Sequence, residues 1–352
     1  MRKEQFFFDL ISGTKKGLFY DTLRACLKGL SWIFGAVVCG RAKLYQFGII
    51  KSFRPLLPTI SVGNIVVGGT GKTPFTIWLA KKLAHKNPAI LLRGYRGKKE
   101  KRGAKVSSFD ASRFGDEAVL LAKRVPEAQI FVGKKRKIGA KLAAQEGAKL
   151  LLLDDGFQHH RVKRDLNFVL IDATNPFGYG HLLPRGLLRE PLKNLQRADC
   201  IVINRAEIGK NYTLLENEIR HYCPAPIAYS RLVVDSITDL FGQKREMAQF
   251  QKVALFCAIG APHGFVKQVE ELGFEVTNCL FGRDHSRFSE NDLRALWQES
   301  QKKGATALLC TEKDSVKLTP SQLPIFSVNV KLDLFQGQEL VDKMLSEDSL
   351  WC

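Results

Sequence analysis

A glycine-rich turn that ends in a lysine and a threonine is the first segment of this chain equipped to do chemistry. Gly68-Gly69-Thr70-Gly71-Lys72-Thr73-Pro74 follows an apolar run over residues 59–67 and precedes a helical pattern over 75–84. Glycines let backbone N–H groups turn inward around phosphate oxygens, and a helix N-terminus adds its positive dipole. The Lys72 ammonium can reach β- and γ-phosphates, and the Thr73 hydroxyl can ligate Mg²⁺. Gly68, Gly69, Thr70, Gly71, Lys72 and Thr73 are therefore expected to hold a nucleotide. One position departs from the usual P-loop spacing: Val66 stands where a glycine is expected, five residues before Gly71. Such an enzyme needs a carboxylate at the end of a neighbouring strand for its metal. Asp154 and Asp155 close the four-leucine run over 150–153, and ligands of open α/β sheets bind at that edge.

The elements that must position these groups read as alternating strands and helices. Strands are expected at 89–92, 130–132, Leu166–Asp172 and Cys200–Asn204, with helical patterns between most of them. That pattern predicts a mostly parallel, doubly wound α/β sheet. The C-terminal half is expected to hold a strand over 253–260, a helix over 265–272 and a strand at Ala307–Thr311. Cys223-Pro224-Ala225-Pro226 interrupts the pattern. We therefore divide the chain into an N-terminal segment (1–54), a P-loop domain (55–225) and a smaller α/β C-terminal domain (226–352).

A chain of 352 residues fits two domains. Its 45% apolar and 25% charged residues exclude a disordered chain, a fibrous repeat and a disulfide scaffold. Lys plus Arg number 54 against 35 Asp plus Glu, a net charge of +19. That excess calls for an anionic partner: nucleotide phosphates, nucleic acid or an acidic membrane surface. The eight cysteines form no CxxC pair, and Cys200, Cys257 and Cys310 lie in apolar runs, so buried reduced thiols are expected and not a zinc site. No signal-peptide cleavage site follows the first apolar stretch. Residues 1–54 carry a local net charge of +7, and their longest uncharged run, 29–40, is too short to span a bilayer. Apolar and aromatic residues recur there at helical spacing, interleaved with Lys15, Lys16, Arg24 and Lys28. Such helices either lie in the headgroup plane or pack against the core with solvated basic faces. Two further basic runs, 93–105 and 134–137, suit phosphate groups or solvent. Their few aromatics do not make a base-stacking platform, and no nucleic-acid partner is expected.

A longer block carries a resemblance. Leu153-Asp154-Asp155-Gly156-Phe157-Gln158-His159-His160-Arg161 leads to Asn175-Pro176-Phe177-Gly178 and then to Leu187-Leu188-Arg189-Glu190-Pro191. With the Ser61-Val62-Gly63-Asn64 and Gly68 to Pro74 segments, and Thr311-Glu312-Lys313-Asp314 further on, this chain resembles the tetraacyldisaccharide 4′-kinase family from about residue 15 to about 332. The resemblance implies an ATP- and Mg²⁺-dependent kinase, peripheral on the cytoplasmic face of the bacterial inner membrane. It would phosphorylate the 4′-hydroxyl of an acylated glucosamine disaccharide on the way to lipid A. It also implies N-terminal helices docked on an anionic bilayer and a C-terminal domain closing over the site, in a chain we read as a monomer.

The resemblance further implies residue roles. Asp116, in Phe114-Gly115-Asp116-Glu117, is the expected base. His285, in Phe281-Gly282-Arg283-Asp284-His285, is its expected partner. Lys72 and Arg189 would neutralise transferred charge. Thr73, Asp154, Asp155 and Glu190 would hold the metal. Arg93, Tyr95, Arg136 and His159 would contact the disaccharide and its headgroup. Arg185-Gly186-Leu187 stands where the family more often reads Ala-Gly-Pro. Two other readings compete: a P-loop switch whose basic surface binds nucleic acid, and a soluble small-molecule kinase with a merely packed N-terminus.

Overall fold

The computed structural model describes residues 2–94, 103–260, 262–318 and 322–346. Two helices, α1 (Arg2–Ser12) and α2 (Leu18–Gln46), precede the sheet. The first half then runs β1 (Thr59–Gly63), α3 (Lys72–Lys82), β2 (Pro88–Leu92), β3 (Ala104–Lys105), α4 (Ala111–Phe114), α5 (Asp116–Arg124), β4 (Gln129–Val132), α6 (Arg136–Gln145), β5 (Leu150–Asp154), β6 (Leu166–Asp172), β7 (Cys200–Asn204) and α7 (Thr213–Tyr222). The second half runs β8 (Ile227–Asp239), β9 (Lys244–Arg245), β10 (Lys252–Cys257), α8 (Pro262–Glu271), β11 (Glu275–Phe281), α9 (Glu290–Gln301), β12 (Ala307–Thr311), α10 (Glu312–Ser315), β13 (Ile325–Gln336) and α11 (Gln338–Ser346).

Among the described residues these strands form one sheet, ordered β11-β10-β12-β13-β8-β7-β6-β1-β5-β2-β4-β3, with β9 on β8. Neighbours from β8 to β4 are parallel, as are those from β13 to β11. The two parallel runs meet at one antiparallel pair, β8 with β13. Every residue of β1, β2, β5 and β7 is buried, which is why these strands read as unbroken apolar runs.

The expected α/β sheet is present, with local corrections. β1 ends at Gly63 and not at 67, because the chain leaves the sheet to pair with a later loop: Val66 bridges Leu188, and Val67 N–H donates to Leu187 O. α3 starts at Lys72, three residues earlier than its apolar pattern, since Lys-Thr-Pro is its first turn. β10 stops at Cys257. The long pair β8 and β13 was not foreseen. The division near 225 falls just before β8, but Leu332, Leu334, Val341 and Leu345 return to the first core beside Ile60 and Phe75. Residues of β10, α8 and β12 build a separate core around Val253, Leu255, Phe265 and Leu309.

α2 has 29 residues and, against the expectation drawn from its short uncharged run 29–40, is long and apolar enough to cross a membrane by length and composition, because the helix extends well beyond that run on both sides. One face of it is held by the body of the protein. Ser31 Oγ donates to Leu182 O at 2.8 Å and accepts from Arg185 N at 3.0 Å. At Gly35 an added Cβ would lie 2.8 Å from Leu182. Arg185 Nη1 reaches Ile11 O on α1 at 2.8 Å, and Tyr45 stacks on His160. The opposite face leaves Phe19, Trp32, Ile33 and Val37 exposed. The seven described cysteines are free thiols, and burial pushes Cys200 and Cys257 up to about 12.

Candidate active site

The phosphate loop leaves the sheet at the end of β1, between β5 and β6. Gly71 caps α3 with φ +85°, a left-handed conformation that suits glycine. Its missing side chain matters as much: a Cβ there would lie 2.0 Å from Asn204 Nδ2. Asn204, buried at the end of β7, donates from Nδ2 to Thr70 O at 3.0 Å and accepts from Ser230 Oγ at 3.0 Å. Asn64 Nδ2 donates to Thr70 Oγ1 at 2.9 Å, and Arg205 Nη2 to Gly69 O at 2.7 Å. The loop is thus shaped from below by Asn204 and from the side by Asn64. Val66, at the place of the expected glycine, ties its entrance to Leu188.

Two acids stand at the end of β5. Asp154 is 4% exposed and accepts from Thr76 Oγ1 at 3.2 Å. Burial, with the nearby charges of Glu117 and Asp155, pushes its carboxyl up to about 7 against the pull of Lys72. Asp155 lies just past the strand at φ +52°. Lys72 Nζ is 3.4 Å from Asp155 Oδ1, and Arg189 Nη1 is 2.8 and 3.0 Å from its two oxygens. Desolvation works to raise Asp155, but these two cations outweigh it and hold the carboxyl below its ordinary value. Thr73 follows Lys72 in the first turn of α3. Glu190 is placed apart from this pair. Its oxygens take Arg197, Gln158 Nε2 (2.7 Å) and Asn194 Nδ2 (2.8 Å), and it reaches Asp155 only through Gln158 and Arg189.

Asp116 opens α5 and His285 sits in the loop after β11, 169 positions away. The structure brings them together: His285 Nδ1 lies 2.8 Å from Asp116 Oδ2. Asp116 is 7% exposed. Burial works to raise its carboxyl, but the hydrogen bond and charge of His285, with Lys313 and Lys317 nearby, hold it below the ordinary value.

The proposed substrate contacts fall in different places. Arg93 is exposed just beyond β2, and Tyr95 lies outside the described residues. Arg136 is buried, with Nη1 on Gly133 O (2.7 Å) and Nη2 on Asp154 O (3.3 Å), so these contacts brace the sheet edge. His159 is pushed down to about 4 by burial and by the charges of Arg136, Arg164, Arg161 and Arg41. Arg136 and His159 line a cavity of about 490 Å³ together with Lys51, Arg54, Lys134, Lys135, Lys137 and Arg161. Among the described residues, no acidic one lines it. Sequence reasoning assigned no role to Glu117, Lys313, Gln158 or Asn204. The first three lie inside motifs already noticed, so proximity in the motif was the available signal.

A phosphate loop, a carboxylate pair carrying a lysine and an arginine, and a hydrogen-bonded Asp–His pair at one edge of a largely parallel sheet define a P-loop phosphotransferase. The family model for tetraacyldisaccharide-1-P 4′-kinase matches residues 23–348, and the chain belongs to that family. It is 36% identical over 334 residues to the tetraacyldisaccharide 4′-kinase of Syntrophotalea carbinolica, covering 91% of each chain. It is 33% identical to that of Chlamydia abortus, covering 91% of this chain and 89% of the relative. Among solved structures, LpxK from Aquifex aeolicus in complex with ATP is similar, with a TM-score of 0.76 and 28% identity over 94% of this chain and all of that one.

Proposed function

We propose that this protein transfers the γ-phosphoryl group of ATP to the 4′-hydroxyl of a tetraacylated glucosamine disaccharide 1-phosphate, a step of lipid A biosynthesis. The observation that carries this reading is the family match over residues 23–348, which spans the loop, Asp154 and Asp155, the Asp116–His285 pair and the Arg189 segment. Phosphoryl transfer is catalysed mainly by positioning and charge neutralisation. Lys72 and Arg189, already gathered at the loop mouth on Asp155, supply the fixed positive charge. Asp116 accepts the proton of the sugar hydroxyl, and His285 orients its carboxylate.

The donor set also fits Mg²⁺. Thr73, Asp154 and Asp155 offer only oxygen atoms, which a hard divalent cation prefers, and a buried acid raised to about 7 is one a cation would ionise. Glu190 joins that set only by giving up one of its present donors. The metal would supply charge neutralisation at the phosphates. Arg93, Arg136, Tyr95 and His159 would contact the disaccharide and its headgroup, and the basic cavity lined by Arg136 and His159 would give that headgroup a positive field.

The helix pair α1 and α2 docks on the anionic cytoplasmic face of the inner membrane. Its inner face is held by Leu182 and Arg185, while Phe19, Trp32 and Ile33 point away from the protein beside Lys15, Lys16 and Lys28. The protein acts there as a peripheral monomer. Incubation with ATP, Mg²⁺ and the tetraacyl disaccharide 1-phosphate tests the function. One added phosphate by mass, at the 4′ position, is expected. An unmodified lipid beside hydrolysed ATP would overturn the assignment.

A further inference from the structure

The chain turns sharply where β7 ends. Arg205 sits there at φ +56°, a conformation that few residues with a side chain adopt. The turn is held from both sides: Ala173 N–H donates to Asn204 O at 2.9 Å, and Ala206 N–H to Ser230 O at 3.0 Å. Between these contacts the Arg205 side chain runs to the phosphate loop, and its guanidinium forks. Nη1 pairs with Asp172 Oδ2 at the end of β6, and Nη2 donates to Gly69 O at 2.7 Å. Asp172 is 7% exposed, and its other oxygen accepts from Thr174 N–H at 3.0 Å and Thr174 Oγ1 at 2.7 Å.

A trans peptide is planar, so its C=O and its N–H point in opposite directions. Arg205 takes the carbonyl of the 69–70 peptide, and the Thr70 N–H therefore points away from it. Asn204 Nδ2 takes the carbonyl of the next peptide at 3.0 Å, which turns the Gly71 N–H away in the same manner. Among the described residues neither N–H donates to a protein acceptor, although Thr70 is 2% exposed. Successive N–H groups turned inward form a cradle for an anion. We propose that Arg205 is a positioning residue for ATP: locked by Asp172, it ties the Gly69 carbonyl outward and so aims the Thr70 N–H at a phosphate oxygen. The proposal rests on the reading of Gly68 to Thr73 as the nucleotide loop and deepens it.

A simpler role for an arginine here would be to attract the phosphates by its charge. The geometry favours the indirect role. Both acceptors on this guanidinium are protein oxygens, and Asp172 neutralises its charge at contact distance. Lys72 and Arg189 bring their charge to Asp155 on the β5 side of the loop, whereas Asp172 and Arg205 stand on the β6 and β7 side. The two roles make opposite predictions at Asp172. Asp172→Asn keeps an oxygen for Thr174 and removes a negative charge near the phosphates. If Arg205 acts by charge, ATP should then bind more tightly. If it acts through Gly69, the guanidinium loses its anchor and ATP should bind more weakly.

Calorimetric titration of the intact protein with ATP and Mg²⁺ separates them, and it needs no acceptor lipid. Arg205→Met is expected to raise Kd and KM for ATP about tenfold or more while kcat changes by about threefold or less. Arg205→Lys keeps one donor for Gly69 O and should recover most of the affinity. Asp172→Asn should weaken ATP binding, and adding it to Arg205→Met should cost little more, because the two residues act as one unit. Tighter binding in Asp172→Asn, or the parent affinity in a folded Arg205→Met protein, would overturn the proposal. If Arg205→Met does not fold, the sign of the change in Asp172→Asn still decides. Lys72→Ala reads the loop independently. Weak binding there beside parent affinity in Arg205→Met removes this proposal alone, while parent affinity in Lys72→Ala removes the nucleotide loop and the proposal with it.

Discussion

Replacing Gly71 by alanine should damage the phosphate loop by an amount the structure sets. Two costs add. The residue sits at φ +85°, where an L side chain loses about 1–2 kcal/mol. The new Cβ would also lie 2.0 Å from Asn204 Nδ2 and 3.0 Å from its Cγ, so either the loop or the amide must move. Asn204 is fully buried and makes two hydrogen bonds, to Thr70 O and from Ser230 Oγ. Displacing it leaves buried polar groups unpaired, at about 1–3 kcal/mol. The total is about 2–5 kcal/mol, large against a typical folding stability of about 5–15 kcal/mol. The same loop holds its own controls. Gly68 has φ +124° but no atom within 4 Å of a Cβ, so Gly68→Ala carries only the backbone cost. Gly69 has neither feature, its nearest atom being 4.0 Å away, and Gly69→Ala should change stability by about 0.5 kcal/mol or less. Urea unfolding of the nucleotide-free protein should rank the losses Gly71 above Gly68 above Gly69, and KM for ATP should rise in Gly71→Ala. If Gly71→Ala and Gly69→Ala unfold at the same urea concentration, Asn204 is not the group that shapes the loop.

Asp116→Asn should lower kcat by about 10²–10⁴ while leaving KM for ATP alone. His285→Ala should cost less, and the double variant should be little worse than Asp116→Asn; effects that simply multiply would mean the two act independently. Asp154, raised to about 7, stabilises the metal-free protein when protonated, and that contribution is lost as pH rises from the ordinary carboxylate range through 7. Between pH 5 and 8 this group should therefore remove about 2–3 kcal/mol. Asp154→Asn should flatten that part of the urea-unfolding profile, and an unchanged profile would place the charge elsewhere. Trp32→Ser with Ile33→Ser and Val37→Ser changes only exposed positions of α2, so folding should survive. Flotation with anionic vesicles should weaken; flotation equal to the parent would mean the apolar face does not meet the bilayer.

How much of this was legible follows from what each signal encodes. The nucleotide half could be read because its strands are buried on both faces, so 150–153 and Cys200–Asn204 stand out as unbroken apolar runs, each ending in a polar residue at the sheet edge. β13 left a different trace: Val328, Val330, Leu332 and Leu334 alternate with Asn329, Lys331 and Asp333, the period of a strand with two unlike faces. That alternation was there to be read, and it marks the strand on which the two parallel runs join. The Asp116–His285 contact had no local signal. A Gly-Asp-Glu turn is equally a helix start, and a histidine in a polar loop is equally a solvated one. Only pairing β8 with β13 sets the C-terminal sheet beside α5 and closes 169 positions of chain to 2.8 Å. Glu190 marks the opposite limit. Its residue type and motif suit a metal ligand, yet Arg197, Gln158 and Asn194 already occupy its oxygens, and which atoms surround a buried acid is a property of the fold and not of the motif.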